Sequence, residues 1–563
     1  MLARHAWIAF GLALLATVYA PALTLAEQGV AGAFRYFAAD AFYYLAVADH
    51  SVGAAFYTFD GRFPTNGFHP LWQYSLSFAF AKLGLASDGQ VLFAFGSSVL
   101  LTALGSGFFA AAMQRVTGSV ALALLASVPG FYYLLLPSLN AHYFAQWSFA
   151  NGMESALSIL FFGVLCFLLV NRRLLAGPVS AAGAFLLATL LTLLTFCRLD
   201  DVFLFVPFGA FLLASPGSTQ ERVRRLVAFG VVPLVCIGAY LAYNLSYAGT
   251  LMPVSGAAKN EGLVFGFLRN GYALVTTLFP FVDPFGRGNA VWGSEAWRVL
   301  QMVLPAGAAA LWIAGCWRDL RAHAEDERSA QRIALTLLCV YVILKAGYNF
   351  TLVRLWHQGQ WYFPVSIMVF NWIVAATVAA GIERLRAATP GERRGRAAAA
   401  LGLATALVFV LLQANAFAEV KRSGRFGLGN YHFWERRDAI GRELERVCPG
   451  CGVVEFDDGI LSYSLPMPVM SGIGLTLDKV AFDAQRRGEL LDVAWERGFR
   501  LLATLNYPMP AGAYADPEQL RQALAANDQL RGQKLEAWDF ETIYVDPGSG
   551  VSFVGFRPKA GKP

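Results

Sequence analysis

The sequence predicts a polytopic α-helical membrane protein, with about eleven transmembrane helices, that ends in a soluble α/β domain; three observations carry this. Hydrophobic residues fill 56% of the 563 positions and charged ones only 15%, and mean hydropathy is +0.49, outside the range of soluble globular chains. Apolar runs of bilayer length, about 20 residues, recur along residues 1–417. From residue 418 charges become frequent and the apolar runs shorten to strand length.

In chain order the eleven runs are 7–25, 90–113, 119–137, 153–171, 178–196, 202–215, 226–246, 299–315, 333–350, 363–381 and 397–417. The run 202–215 is short and borrows flanking residues to cross. Two more stretches, 70–87 and 264–282, read as interfacial or re-entrant helices, because inserting the first alone would place Arg115 outside. With that choice Arg4, Arg115, Arg172, Arg173, Arg222, Arg224, Arg225 and the loops 316–332 and 382–396 all fall on the cytoplasmic side. The net charge of +6 is therefore a topology signal and not a nucleic-acid footprint. An odd count puts the amino end inside and the carboxyl end outside. Residues 1–25 also fit a cleaved signal peptide; a retained helix is preferred because ten spans follow it.

This gives two domains, a transmembrane one over 1–417 with an outer loop 26–89, and an extracytoplasmic one over 418–563. The second has about 145 residues, enough to bury a core. Gly452–Phe456 and Arg500–Thr504 read as buried strands, and Asp457-Asp458-Gly459 as a ligand turn or, more commonly, a plain turn. Cys166, Cys197, Cys236, Cys316 and Cys339 lie in or beside apolar runs, where a thiol acts as a small hydrophobe. Cys448-Pro-Gly-Cys451 suits a redox pair, half a zinc site or a local disulfide; outside the cytosol the disulfide is preferred.

The polar residues that topology gathers on the outer side are the candidates for chemistry. Asp40 and Tyr44 are four apart and share a helical face, which suits a general base beneath an aromatic sugar platform; a helix cap is the plainer reading. Asn66, His69 and Trp72 flank the bends at Pro64 and Pro70, where a His commonly caps a helix and with Trp72 could touch a saccharide. Glu154 opens the fourth span, and the helix amino terminus is a sufficient reason for an acid there. Arg198, Asp200 and Asp201 make the next turn, either as an internal ion pair or as an anion or metal site. Lys259, Arg354 and His357 are cations at the outer interface, where they anchor helices to headgroups or hold a lipid phosphate. A soluble nucleotide cofactor is not indicated, since no Walker loop, dinucleotide fingerprint or HExxH motif occurs. A divalent cation stays open.

The order of four motifs carries a family resemblance over residues 1–420. An acidic-aromatic loop around Asp40 leads into Thr65-Asn66-Gly67-Phe68-His69-Pro70-Leu71-Trp72; Gly152-Met153-Glu154-Ser155 and Cys197-Arg198-Leu199-Asp200-Asp201 follow; then comes the run from Tyr243 to Gly256. This order resembles bacterial GT-C-fold glycosyltransferases, most nearly an arabinofuranosyltransferase-like branch, with a weaker echo in Val454–Tyr463. The resemblance implies an inverting transfer of a sugar from a polyprenyl-phosphate donor to a glycan, lipid-linked saccharide or protein, on the outer face of the bacterial cytoplasmic membrane. Asp40 takes the place of the family's base. The family pattern often pairs two acids here; Ala39 stands beside Asp40, which leaves a single carboxylate.

Two other classes compete with glycosyl transfer. A transporter or lipid flippase would show paired repeats and charges at mid-membrane depth, and no repeat is visible. A glycan-binding assembly scaffold would bind saccharide through the tail alone.

Overall fold

The computed structural model describes residues 2–128, 150–278, 295–316, 327–353, 360–388, 428–456, 459–504, 516–526 and 530–560, apart from 173, 176, 261 and 531, with isolated positions between 400 and 411. These form two compact units: Met1–Gly32 with Phe95–Gly238 and Asn260–Gly424, and Ala33–Ala94 with Ala239–Lys259 and Arg425–Pro563.

The first unit is helical. Among the described residues five helices are long and apolar enough to cross a membrane: Arg4–Gln28, Ser87–Thr117, Thr219–Ala248, Ser329–Leu352 and Pro364–Arg384. Three shorter apolar helices accompany them, Ser155–Asn171, Ala181–Cys197 and Met302–Gly315. Their outer surface is oily, with Leu234 and Leu311 each 77% exposed, as suits a chain solvated by lipid. Where Ser87–Thr117 crosses Ser155–Asn171, two glycines permit backbone contact: a Cβ on Gly163 would lie 2.2 Å from the Gly105 carbonyl oxygen. Small residues at a crossing are how membrane helices pack without a hydrophobic drive between them. Trp372, Phe109, Phe162 and Phe208 fill the interior.

Two expected spans look different here. The run 202–215 is a 3-10 turn over Leu199–Leu204 and a ten-residue helix over Phe205–Ala214, about 15 Å long at 1.5 Å per residue and so half a bilayer. Its start is held by side-chain contacts of Asp200 and Asp201 that spacing does not reveal. The run 119–137 begins as a seven-residue helix, Val120–Ala126. The expected span 397–417 lies almost wholly outside the described residues, as do Arg354, His357, Asp457 and Asp458.

The second unit contains the α/β sheet: β1 Gly452–Glu455, β2 Val469–Ser471, β3 Phe499–Thr504, β4 Trp538–Val545 and β5 Ser552–Pro558, in the order β2-β1-β3-β5-β4. β1 pairs in parallel with β2 and β3, while β3–β5 and β4–β5 are antiparallel. Both strands expected from sequence are present. β1 is buried along its whole length, as a parallel strand covered on both faces must be. Phe482, Leu490, Leu491, Trp538, Phe540 and Phe556 form the core on the sheet. Cys448 and Cys451 are joined as a disulfide between the helix Leu428–Val447 and β1, the preferred sequence reading.

Candidate functional site

Asp40 is the N-cap residue of the helix Ala41–His50, in which Ala41 through Ala48 are all buried. A helix that is apolar on every side belongs inside a protein, and this one has a single carboxylate at its mouth. The side chain makes no cap hydrogen bond to the helix; the Asp40 carbonyl accepts from Tyr43 N–H at 3.2 Å. Three other acids of the segment 26–89 are engaged. Asp49 accepts from Gln90 Nε2 at 2.6 Å, Asp60 from the Arg62 and Phe63 amides at 2.8 Å each, and Asp88 from Trp434 Nε1 at 3.2 Å. Among the described residues no hydrogen bond reaches the half-buried Asp40 carboxylate. Burial raises its affinity for a proton above the ordinary carboxylate range, and the Lys259 ammonium partly offsets the rise. Lys259 ends the short helix Val254–Lys259.

The loop 65–73 braces this helix. Tyr44 Oη accepts from the His69 amide at 3.4 Å and the Tyr44 carbonyl from Gln73 Nε2 at 3.2 Å. His69 is the N-cap of Pro70–Leu83, with Pro70 at the first helical position, where a missing N–H costs nothing. Asn66, fully buried, donates to Thr250 Oγ1 at 2.8 Å and accepts from the Val254 amide at 3.1 Å; it thereby ties the loop to the start of the helix that bears Lys259. Trp72 is 2% exposed and packs inside. Asn66 and Trp72, expected as substrate contacts, are both buried in this structure.

The other candidates assemble in the first unit, as a buried ionic network. Glu154 is the N-cap of Ser155–Asn171 and makes no cap bond. Its carboxylate accepts from Arg198 at 2.5 Å, so an ion pair adds to the helix-terminus placement expected for this acid. Arg198 Nε stands 3.3 Å from Asp200, and its guanidinium lies 4.3 Å from the centre of the Tyr362 ring. Lys345 Nζ sits 3.2 Å from Asp200 and 2.5 Å from Asp201, whose same oxygen accepts from Tyr341 Oη at 2.5 Å. Arg198, Lys345, Glu154 and Asp201 are at most 2% exposed.

Three carboxylates thus face two cations. Sequence reasoning named Glu154, Arg198, Asp200 and Asp201 but missed Lys345 and Tyr341. The signal was present: Lys345 is an ionisable residue inside an apolar run, which by itself marks a site of interest. Arg198 is held by Glu154 and Asp200, the internal ion pair that was one of the two readings of this turn. No group of three or more His, Cys, Asp or Glu side chains among the described residues is gathered to hold a metal ion.

Fold and site together define a helical membrane protein with an α/β tail and a carboxylate, Asp40, that accepts no hydrogen bond among the described residues and faces the charge of Lys259. No family model matches the chain and no curated protein does. Among solved structures it aligns with ArnT from Cupriavidus metallidurans bound to undecaprenyl phosphate, at 14% identity and TM-score 0.49 over 96% of this chain and 97% of that one. It also aligns with the apo Archaeoglobus fulgidus oligosaccharyltransferase, at 12% identity and TM-score 0.49 over 99% and 75%. A third is the archaeal oligosaccharyltransferase AglB from Archaeoglobus fulgidus in complex with an inhibitory peptide and a dolichol-phosphate, at 12% identity and TM-score 0.41 over 98% and 75%.

Proposed function

We propose that the chain is a GT-C-type membrane glycosyltransferase that moves a sugar from a polyprenyl-phosphate donor to an acceptor hydroxyl or amide, with Asp40 as general base. The observation that supports it most is the contrast between Asp40 and three other acids of the segment 26–89: Asp49, Asp60 and Asp88 accept hydrogen bonds from protein donors, whereas the Asp40 carboxylate accepts none among the described residues. A base whose proton affinity is raised by burial is a stronger acceptor of the proton that leaves the attacking group. In this reading Lys259, whose charge acts on Asp40, also neutralises the charge that develops on the departing lipid phosphate. The base removes a proton as the acceptor oxygen or nitrogen bonds to the anomeric carbon; the bond from that carbon to the phosphate oxygen breaks, and the phosphate leaves with the electron pair.

In this reading attack from the face opposite the phosphate inverts the anomeric centre, about eleven helices cross the cytoplasmic membrane, and the tail lies outside. Arabinofuranose is the sugar that the motif resemblance favours. Incubating the purified protein with a panel of polyprenyl-phosphate sugars, followed by mass spectrometry, tests the assignment: one donor is expected to lose its sugar. One observation favours a transporter instead, the Lys345–Asp201 pair within the helical unit, because intramembrane ion pairs line transport paths. Flux of a lipid-linked sugar across proteoliposomes, without loss of the sugar, would establish that reading.

A further inference from the structure

The tail carries a turn built to fit the backbone beside Asp40. Gly459, just past β1, adopts φ +83°, and an added Cβ would lie 2.8 Å from the Tyr43 amide nitrogen and 3.1 Å from the Phe42 carbonyl carbon. That amide is the one that donates to the Asp40 carbonyl. The helix that follows, Ile460–Ser464, continues the contact. Ser462 Oγ donates to the Phe59 carbonyl at 2.8 Å, and the Phe59 ring packs 5.4 Å from the Tyr43 ring. Tyr463 Oη is 2.9 Å from Gln90 Oε1, and Gln90 in turn donates to Asp49 near the far end of Ala41–His50. Three tail residues, Gly459, Ser462 and Tyr463, are thus linked to the helix that Asp40 opens, the last through Gln90.

The place of this turn in the sheet explains why the tail can act here. Strand order β2-β1-β3 reverses direction at β1, and in open α/β sheets the crevice beyond the carboxyl ends of the strands at such a reversal is where ligands settle. In this protein the helix of Asp40 lies against Gly459 and the helix Ile460–Ser464, which follow β1 in the chain.

We propose that Gly459 and the turn it forms are a positioning element for Asp40, so that the soluble tail sets the orientation of the base. This rests on the base role argued above. A Cβ at 459 shifts the Asp40–Tyr43 turn and moves the carboxylate away from the acceptor, lowering kcat with little effect on donor KM.

The test compares Gly459→Ala with Gly498→Ala, each alone and combined with Asp40→Asn, by release of undecaprenyl phosphate from undecaprenyl-phosphate-linked arabinose, or from the undecaprenyl-phosphate sugar consumed in its place. Gly498 is the matched control, with φ +88° and open space around an added Cβ; it imposes the same backbone strain without the collision. Gly459→Ala is expected to lower kcat by roughly 10–10²-fold, to leave KM unchanged, and to cause no further loss in the Asp40→Asn background, as two residues acting through one group must. Equal rates for the two glycine variants, or an additive loss on Asp40→Asn, would overturn the positioning role. Full turnover by Asp40→Asn alone would overturn the base role and the positioning role with it. If Gly459→Ala does not purify as a folded protein, Ser462→Ala, which removes the bond to Phe59, is scored by the same criteria.

Discussion

At Asp40 the direction of the proton shift sets two consequences. The carboxyl is raised by burial, so its protonated form is favoured in the folded protein; that stabilisation is fully present below the unfolded value and is lost as pH rises through the raised folded one. At neutral pH the ionised group therefore costs stability, and Asp40→Asn is expected to melt at a higher temperature than the parent. Turnover, which requires the ionised base, falls as pH drops through a value above the ordinary carboxylate range. Lys259→Gln removes the cation that holds that value down, so the acid limb of the rate profile is expected to move to higher pH. In the first unit, Lys345→Met leaves Asp200 and Asp201 buried without their ammonium and is expected to cost about 3–5 kcal/mol, read by thermal or denaturant unfolding in detergent. Adding Asp201→Asn should recover part of that loss.

Among the elements, the loop 65–73 shows what a sequence conveys and what it withholds. Pro70 at a helix start and the short Pro70–Leu83 helix follow from local rules. That Asn66 binds Thr250 and Val254 does not, because the partners are remote in sequence and nothing in either segment announces the other. Asn66→Ala orphans the buried Val254 amide and is expected to destabilise by about 1–3 kcal/mol, and by displacing the helix of Lys259 to slow turnover as well. The hairpin β4–β5 was legible and missed: Trp538, Phe540 and Thr542 alternate with Asp539, Glu541 and Ile543, and Asp546-Pro547-Gly548-Ser549-Gly550 is a strong turn signal. The ten-residue Phe205–Ala214 helix was not legible, since the ion pairs that fix its start join residues on separate helices.

For the whole molecule, hydropathy and charge placement convey the helical membrane class and the α/β tail, because bulk solvation depends on composition more than on any contact. The grouping of the tail with residues 33–94 and 239–259 is a product of tertiary packing: Gly459 reads in isolation as a turn residue, and only the fold shows it against Tyr43. The same holds for Asp40, Asp49, Asp60 and Asp88, which look alike in sequence and differ in their hydrogen bonds in the structure. The most direct measurement is the rate at which the purified protein and its Asp40→Asn variant release polyprenyl phosphate from a panel of polyprenyl-phosphate sugars, with products identified by mass spectrometry. The parent is expected to consume one donor, and the variant to do so about 10²–10⁴-fold more slowly; consumption of no donor by the parent, or an equal rate for the variant, would contradict the account.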